Sequence, residues 1–210
     1  MQHFAIIGDL VGSRQMADRA AVQVRFRKAI DDVNRASAAR LTVLLKLTAG
    51  DEVQGITGQP ETLVDVMVTL SDALAPERLA WGWGYGALTT DLVDDVSLLD
   101  GPCLHRAREA VEAARKGSSW LEIAGFTEPA GRVLSALMNL IGAIRAEWTE
   151  RQTEVVRESR GRLQVETAKA LGVSPSTISR ALGAAHAARV FEGEEAARAL
   201  LRTLSREGDR

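Results

Sequence analysis

The chain has 210 residues, 46% of them hydrophobic and 26% charged, with a formal net charge of −2; this balance suits a globular protein of one large domain, or of a medium and a small one, and excludes disorder except at the ends. No apolar run approaches the roughly 20 residues that cross a bilayer, and residues 1–9 lack a basic leader, so a cytoplasmic location with no membrane partner is expected. Cys103 is the only cysteine and the three histidines are scattered, which excludes an intrachain disulfide and a structural zinc site.

Residues 4–10 form a short apolar run that meets Asp9 and then Gly12 and Ser13, the pattern of a buried strand followed by a tight loop. Val22, Phe26, Ile30 and Val33 recur at helical spacing, which predicts a helix over 18–37. Strands over 41–47 and 53–57 are joined by a hairpin turn at Ala49-Gly50-Asp51-Glu52. A helix over 60–74 opens with Pro60 near its start, and a fourth strand covers 79–88. In that strand Trp81-Gly82-Trp83-Gly84-Tyr85-Gly86 alternates, placing aromatics towards the core and a bare face where a helix can come close. Gly82-x-Gly84-x-x-Ala87 is no dinucleotide fingerprint, because no helix opens there. An acidic loop through Asp91, Asp94, Asp95 and Asp100 leads to a helix over 102–116, on which Cys103 reads as a small buried hydrophobe. The order β-α-β-β-α-β-α predicts the α/β (α+β) class, a mixed sheet with helices on one face. A fifth strand at 120–123 follows, then a long helix over 133–148 with Val133, Leu137, Leu140, Ile141 and Ile144 on one side.

Thr149-Glu150-Arg151-Gln152 has the form of a capping box and places a boundary near Trp148-Thr149. Beyond it, Ala168 is small enough for two helices to touch, Gly172 suits a turn of positive φ, and Ile178 falls where a second helix faces back on the first. Leu171, Val173 and Leu182 complete a small core, Ser174 caps the second helix and Pro175 fits its first turn. Outward-facing Ser176, Thr177, Ser179 and Arg180, with Lys169 on the first helix, suit base edges and phosphates of double-stranded DNA. Across 160–190 there are five cations (Arg160, Arg162, Lys169, Arg180, Arg189) against Glu166 alone, a net +4, and such a field attracts a phosphate backbone. These twenty or so residues resemble the helix-turn-helix of DNA-binding regulators. No winged hairpin follows; residue 191 onward reads as another helix. One short reading helix binds weakly, so a homodimer is expected, with the helix ending at Trp148 as the candidate dimer element.

The first part carries a second signal. Asp9 ends the first strand and Asp51 lies in the hairpin turn; carboxylates sharing a sheet edge need a cation, and Mg²⁺ suits them because it leaves positions open for phosphates. Gly12, Ser13 and Arg14 offer backbone N–H groups and a guanidinium to a triphosphate, and His105 on the helix after Gly101-Pro102 is a further candidate. Ile6-Ile7-Gly8-Asp9-Leu10-Val11-Gly12-Ser13 is similar to the first metal strand of class III nucleotidyl cyclases. Leu47-Thr48-Ala49-Gly50-Asp51-Glu52-Val53 resembles their second metal turn and the acidic turn of GGDEF domains. Trp83-Gly84-Tyr85-Gly86-Ala87-Leu88 and Gly101-Pro102-Cys103-Leu104-His105-Arg106-Ala107-Arg108 follow in the same order. Over nearly its whole length the chain resembles the SatD family, whose members join such an N-terminal half to a C-terminal helix-turn-helix.

That resemblance implies a cyclase-like domain over 1–127, a connecting or dimerisation helix over 128–148 and a small all-α helix-turn-helix domain over 149–210. It implies metal ligands Asp9 and Asp51, with Gly12, Ser13, Arg14, His105 and Arg108 towards a nucleotide. The departures from cyclases concern chemistry: where they carry an asparagine and an arginine that steady the transition state, this chain has His105 and Glu109, with Arg108 out of register. The base-reading lysine falls at Leu47, and Lys46 points to the opposite sheet face. The expectation is a DNA-binding transcriptional regulator that senses a nucleotide with Mg²⁺. A cyclase-type enzyme making a nucleotide second messenger is the first alternative and a protein-binding adaptor the second.

Overall fold

The computed structural model describes the backbone of residues 2–207 and the side chains of residues 2–204. β1 (Gln2–Leu10) is the centre of the sheet, and its run of apolar residues is buried on both sides, as a strand covered on both faces requires. It pairs antiparallel with β3 (Glu52–Thr57) and with β4 (Leu79–Ala87). β2 (Leu41–Thr48) joins β3 by a hairpin, and β5 (Leu121–Ala124) lies parallel to β4. The resulting order is β2-β3-β1-β4-β5, a mixed sheet. Ala49 and Gly50 both take positive φ in the hairpin turn, matching its twist to the strands.

Phe4, Ile6 and Leu10 point to the face covered by α1 (Arg19–Ser37) and α2 (Thr62–Leu74), where Val22, Phe26, Ile30, Met67 and Leu70 fill the core. Ala5 and Ile7 point the other way, against Cys103, Ala107 and Val111 of α3 (Pro102–Gly117). Helices therefore cover both faces, which corrects the expectation of a single helical layer. The glycines of β4 are the physical reason: a Cβ on Gly82 would lie 2.3 Å from the carbonyl oxygen of Ala107, and one on Gly84 would lie 2.1 Å from that of Cys103. Bare backbone lets α3 sit directly on the sheet, while Trp81 and Trp83 fill the opposite face.

The helical remainder comprises α4 (Ala130–Ala146), α5 (Glu150–Ser159), α6 (Gln164–Ala170), α7 (Pro175–Ala184) and α8 (Ala187–Glu207). The capping box at Thr149 and Gln152 forms as expected. Helix α4 buries Gly131, Leu134, Met138 and Ile141. Val133 and Leu140, expected on its apolar side, are 55% and 62% exposed, because the sheet and α8 together claim an adjacent face. Helix α8 returns to the sheet's core through Val190, Ala197 and Leu201. The separate small cluster of Val155, Ala168 and Ile178, with Leu171, Val173 and Leu182 around it, is confined to α5–α7. No helix among the described residues is long and apolar enough to cross a membrane.

Candidate functional site

One end of the central sheet gathers charge. Asp9 faces Glu52 across the β1–β3 register, and the Leu10 N–H donates to the Asp51 carbonyl at 2.9 Å, so β1 and the hairpin turn deliver three carboxylates to the same edge. Each has a counter-ion from another element. Arg115 of α3 sits 3.0 Å from Asp9, Arg19 of α1 sits 3.6 Å from Asp51, and Arg108 of α3 grips both oxygens of Glu52. The Ser13 hydroxyl also donates to Asp51, at 2.5 Å.

Burial raises the Asp9 carboxyl above its ordinary value; Arg115 pulls it back, and the Asp51 and Glu52 carboxylates push it up again. Burial acts in the same direction on Glu52, but hydrogen bonds from Arg108, Gln54 and Thr48 outweigh it and hold that carboxyl low. Among the described residues no three His, Cys, Asp or Glu side chains form a ligand cage. Two carboxylates with open positions are nonetheless the donor set that Mg²⁺ takes when phosphates supply its other oxygens.

The remaining expected residues divide. Gly12 adopts a left-handed φ of 72° and opens the short 3-10 turn that carries Ser13. Arg14 stands exposed on that turn. His105 does not join the edge: although it lies less than one turn before Arg108 on α3, its side chain pairs with Asp100 at 2.6 Å. Lys46 reaches Asp95 at 2.5 Å and Ser97 at 3.2 Å and with Ser97 holds the Asp95 carboxyl down at about 2. Leu47 packs into the opposite core, as its register predicts. Glu52, Arg19 and Arg115 were not singled out from the sequence. Glu52 was findable, since the strand register that places Asp9 opposite the hairpin places it there too.

The α6–α7 pair has the expected bend. Gly172 takes a φ of 64°, Ser174 accepts the Thr177 N–H and caps α7, and Ile178 is fully buried between the helices. Lys169, Ser174, Ser176, Ser179 and Arg180 are exposed and Thr177 is half-buried. The electrostatic expectation needs correction. Arg160 is consumed by Asp72 and Glu194, Arg162 pairs with Glu158, and Arg189 pairs with Glu192. Of the five cations, Lys169 and Arg180 have no carboxylate partner among the described residues; Asp72 of α2 and carboxylates just outside the counted window neutralise the others.

The sequence model of the SatD family matches residues 3–201. The chain belongs to the SatD family. No curated protein matches it. Solved structures similar to this SatD-family chain include a bacterial light-regulated adenylyl cyclase, with a TM-score of 0.47 at 12% identity, covering 70% of this chain and 81% of that one. The guanylate cyclase domain of RhGC from Catenaria anguillulae in complex with GTP gives 0.39 at 17% identity, covering 53% and 72%. The dimeric guanylyl cyclase domain of the RhoGC fusion protein from Blastocladiella emersonii gives 0.43 at 13% identity, covering 61% and 88%. At such identities the likeness concerns architecture, and no residue role is transferred from it.

Proposed function

We propose that this SatD-family protein binds a nucleoside triphosphate with Mg²⁺ at the Asp9–Asp51 edge and relays its occupancy to α7, which reads double-stranded DNA as part of a homodimer. The observation that carries the first half is the convergence of Asp9 and Asp51, joined by the Leu10–Asp51 backbone bond, beside Arg108 and Arg115. Asp9 and Asp51 are the residues to hold the cation, which neutralises the phosphates when bound. The guanidiniums released from Glu52 and Asp9 are placed to take phosphate oxygens as charge-assisted pairs, with Gly12, Ser13 and Arg14 on the neighbouring turn. Binding without turnover is the reading supported by His105, which is engaged with Asp100, and by the sequence resemblance, which implies Glu109 where cyclases carry an arginine.

The DNA half rests on the left-handed turn at Gly172, which holds Ser174, Ser176, Thr177, Ser179 and Arg180 at the start of an exposed helix, with Lys169 nearby. Calorimetric titration with Mg²⁺ and nucleoside triphosphates tests the first half: heat that disappears in Asp9→Ala is expected, and no heat, or heat unchanged in Asp9→Ala, overturns it. For DNA, binding should fall steeply with salt and weaken in Arg180→Ala; indifference to both overturns that half. The carboxylate pair also favours a second reading, a cyclase-type enzyme. Pyrophosphate release requiring both Asp9 and Asp51 supports it, and no release from metal-loaded protein removes it.

A further inference from the structure

A cavity of about 810 Å³ lies where the sheet domain meets α5, at the same end of the sheet as the carboxylates, since its wall residue Leu79 pairs with Leu10, but with neither Asp9 nor Asp51 in its wall, and it is unused by the function proposed above. Its volume falls within the range of small-molecule sites, and its place between structural units is where such sites concentrate. The ends of α2 and α3, the helix α4 and the first turns of α5 all contribute to its wall. An occupant would therefore touch both parts of the molecule.

The wall is specific in chemistry. Two half-buried indoles, Trp120 and Trp148, flank the Arg145 guanidinium, each with its ring centre 5.0 Å away. Trp120 lies flat on α4 because residue 142 is glycine; a Cβ there would come within 2.7 Å of the tryptophan. Of the wall's three carboxylates, Glu77 is bonded to Arg25 and Glu154 to Arg151, while Glu150, in the first turn of α5, has no cationic partner among the described residues. Arg78 has no carboxylate partner among the described residues, and the one ion pair of Arg157 is with its half-buried neighbour Glu158, at 3.5 Å. Arg145 donates through Nη2 to Asp72 at 2.5 Å, while its buried Nη1 has no hydrogen-bond acceptor. Two aromatic faces beside the Arg78 guanidinium, which has no carboxylate partner among the described residues, and the weakly held Arg157 favour a flat ring bearing a negative charge.

We propose that this cavity is an effector site for a planar aromatic carboxylate. Its connection to the reading helix is short: the Trp148 Nε1–H donates to the Ala185 carbonyl at 2.9 Å, and Ala185 is the C-terminal cap of α7. A ligand that packs on Trp148 thus acts on the element that anchors the end of α7.

The test is calorimetry on the full chain, without nucleotide or Mg²⁺, using indole-3-acetate, phenylacetate and salicylate, with indole-3-acetamide as the uncharged control. At least one acid is expected to bind about tenfold or more tightly than the amide, and its affinity should fall about tenfold in Ala143→Trp, which fills the cavity. Arg78→Ala, at an exposed position that leaves the fold intact, should weaken the acid and leave the amide unchanged. Asp9→Ala should leave the acid's affinity as it was, so failure at the carboxylate edge and failure here remain distinguishable. No heat from any acid, equal binding of acid and amide, or affinity unaltered in both Ala143→Trp and Arg78→Ala would overturn the proposal.

Discussion

Asp9 illustrates how a single residue can work against the fold that holds it. Its carboxyl is raised by burial and by the adjacent Asp51 and Glu52, with Arg115 only partly compensating, so the folded state binds that proton more tightly than the unfolded chain does. An acid with a raised folded value destabilises the protein once ionised; the penalty is full above the folded value, fades as pH falls through it and is gone below the ordinary carboxylate value. Asp9→Asn should therefore melt at a higher temperature than the parent at pH 7, with the two curves converging towards pH 3, while heat from Mg²⁺ and triphosphate is lost. A lower melting temperature at pH 7 would mean that the Arg115 pair dominates and that Asp9 is structural. Glu52 differs because Arg108 grips both its oxygens. At this scale Asp9, Asp51 and Ser13 were legible, since strand ends and tight turns are local. The Arg108 and Arg115 pairings were not, because their partners are distant in sequence and only the packing of α3 on the sheet joins them.

Elements were legible wherever the signal was local: the helical period over α1, the hairpin at Gly50, the capping box at Thr149 and the bend at Gly172 all appear where the residues place them. Layering was less so, because alternation in β4 says that one face is bare but not which helix covers it. Two glycine substitutions separate close approach from backbone freedom. Gly84→Ala would place its methyl 2.1 Å from the Cys103 carbonyl and 2.4 Å from the Ala107 nitrogen, backbone atoms that cannot swing aside. It should cost about 2 kcal/mol or more in urea unfolding. Gly183, inside α7, has nothing within 4 Å of where its Cβ would lie, and Gly183→Ala should stabilise by about 0.5–1 kcal/mol through helix propensity and a less entropic unfolded chain. Equal effects at the two sites would show that α3 does not press on β4 as described.

At the scale of the whole molecule, the question is what joins the α5–α7 helices to the sheet. Asp72 of α2 and Glu194 of α8 are 3% and 1% exposed, and two arginines from two further elements neutralise them. Arg160, just after α5, contacts Asp72 at 2.5 Å and both oxygens of Glu194, at 2.7 and 3.0 Å; it also stacks on Phe191. Arg145 of α4 holds Asp72 and lies 3.8 Å from Glu194. Because Arg160 leads directly into the turn before α6, this quartet sets where α6 and α7 stand. Arg160→Ala leaves Asp72 with Arg145 but strips Glu194 of both hydrogen bonds, and a buried charge without a partner is expensive: the loss should be about 3–5 kcal/mol in chemical denaturation. Adding Glu194→Gln removes the orphaned charge, so the double variant should recover part of that loss; non-additivity of this sign is the mark of a real pair. A loss below about 1 kcal/mol, or a double variant no more stable than Arg160→Ala, would mean that the apolar packing of α8 on α4 joins the two parts by itself and that the quartet merely fills space.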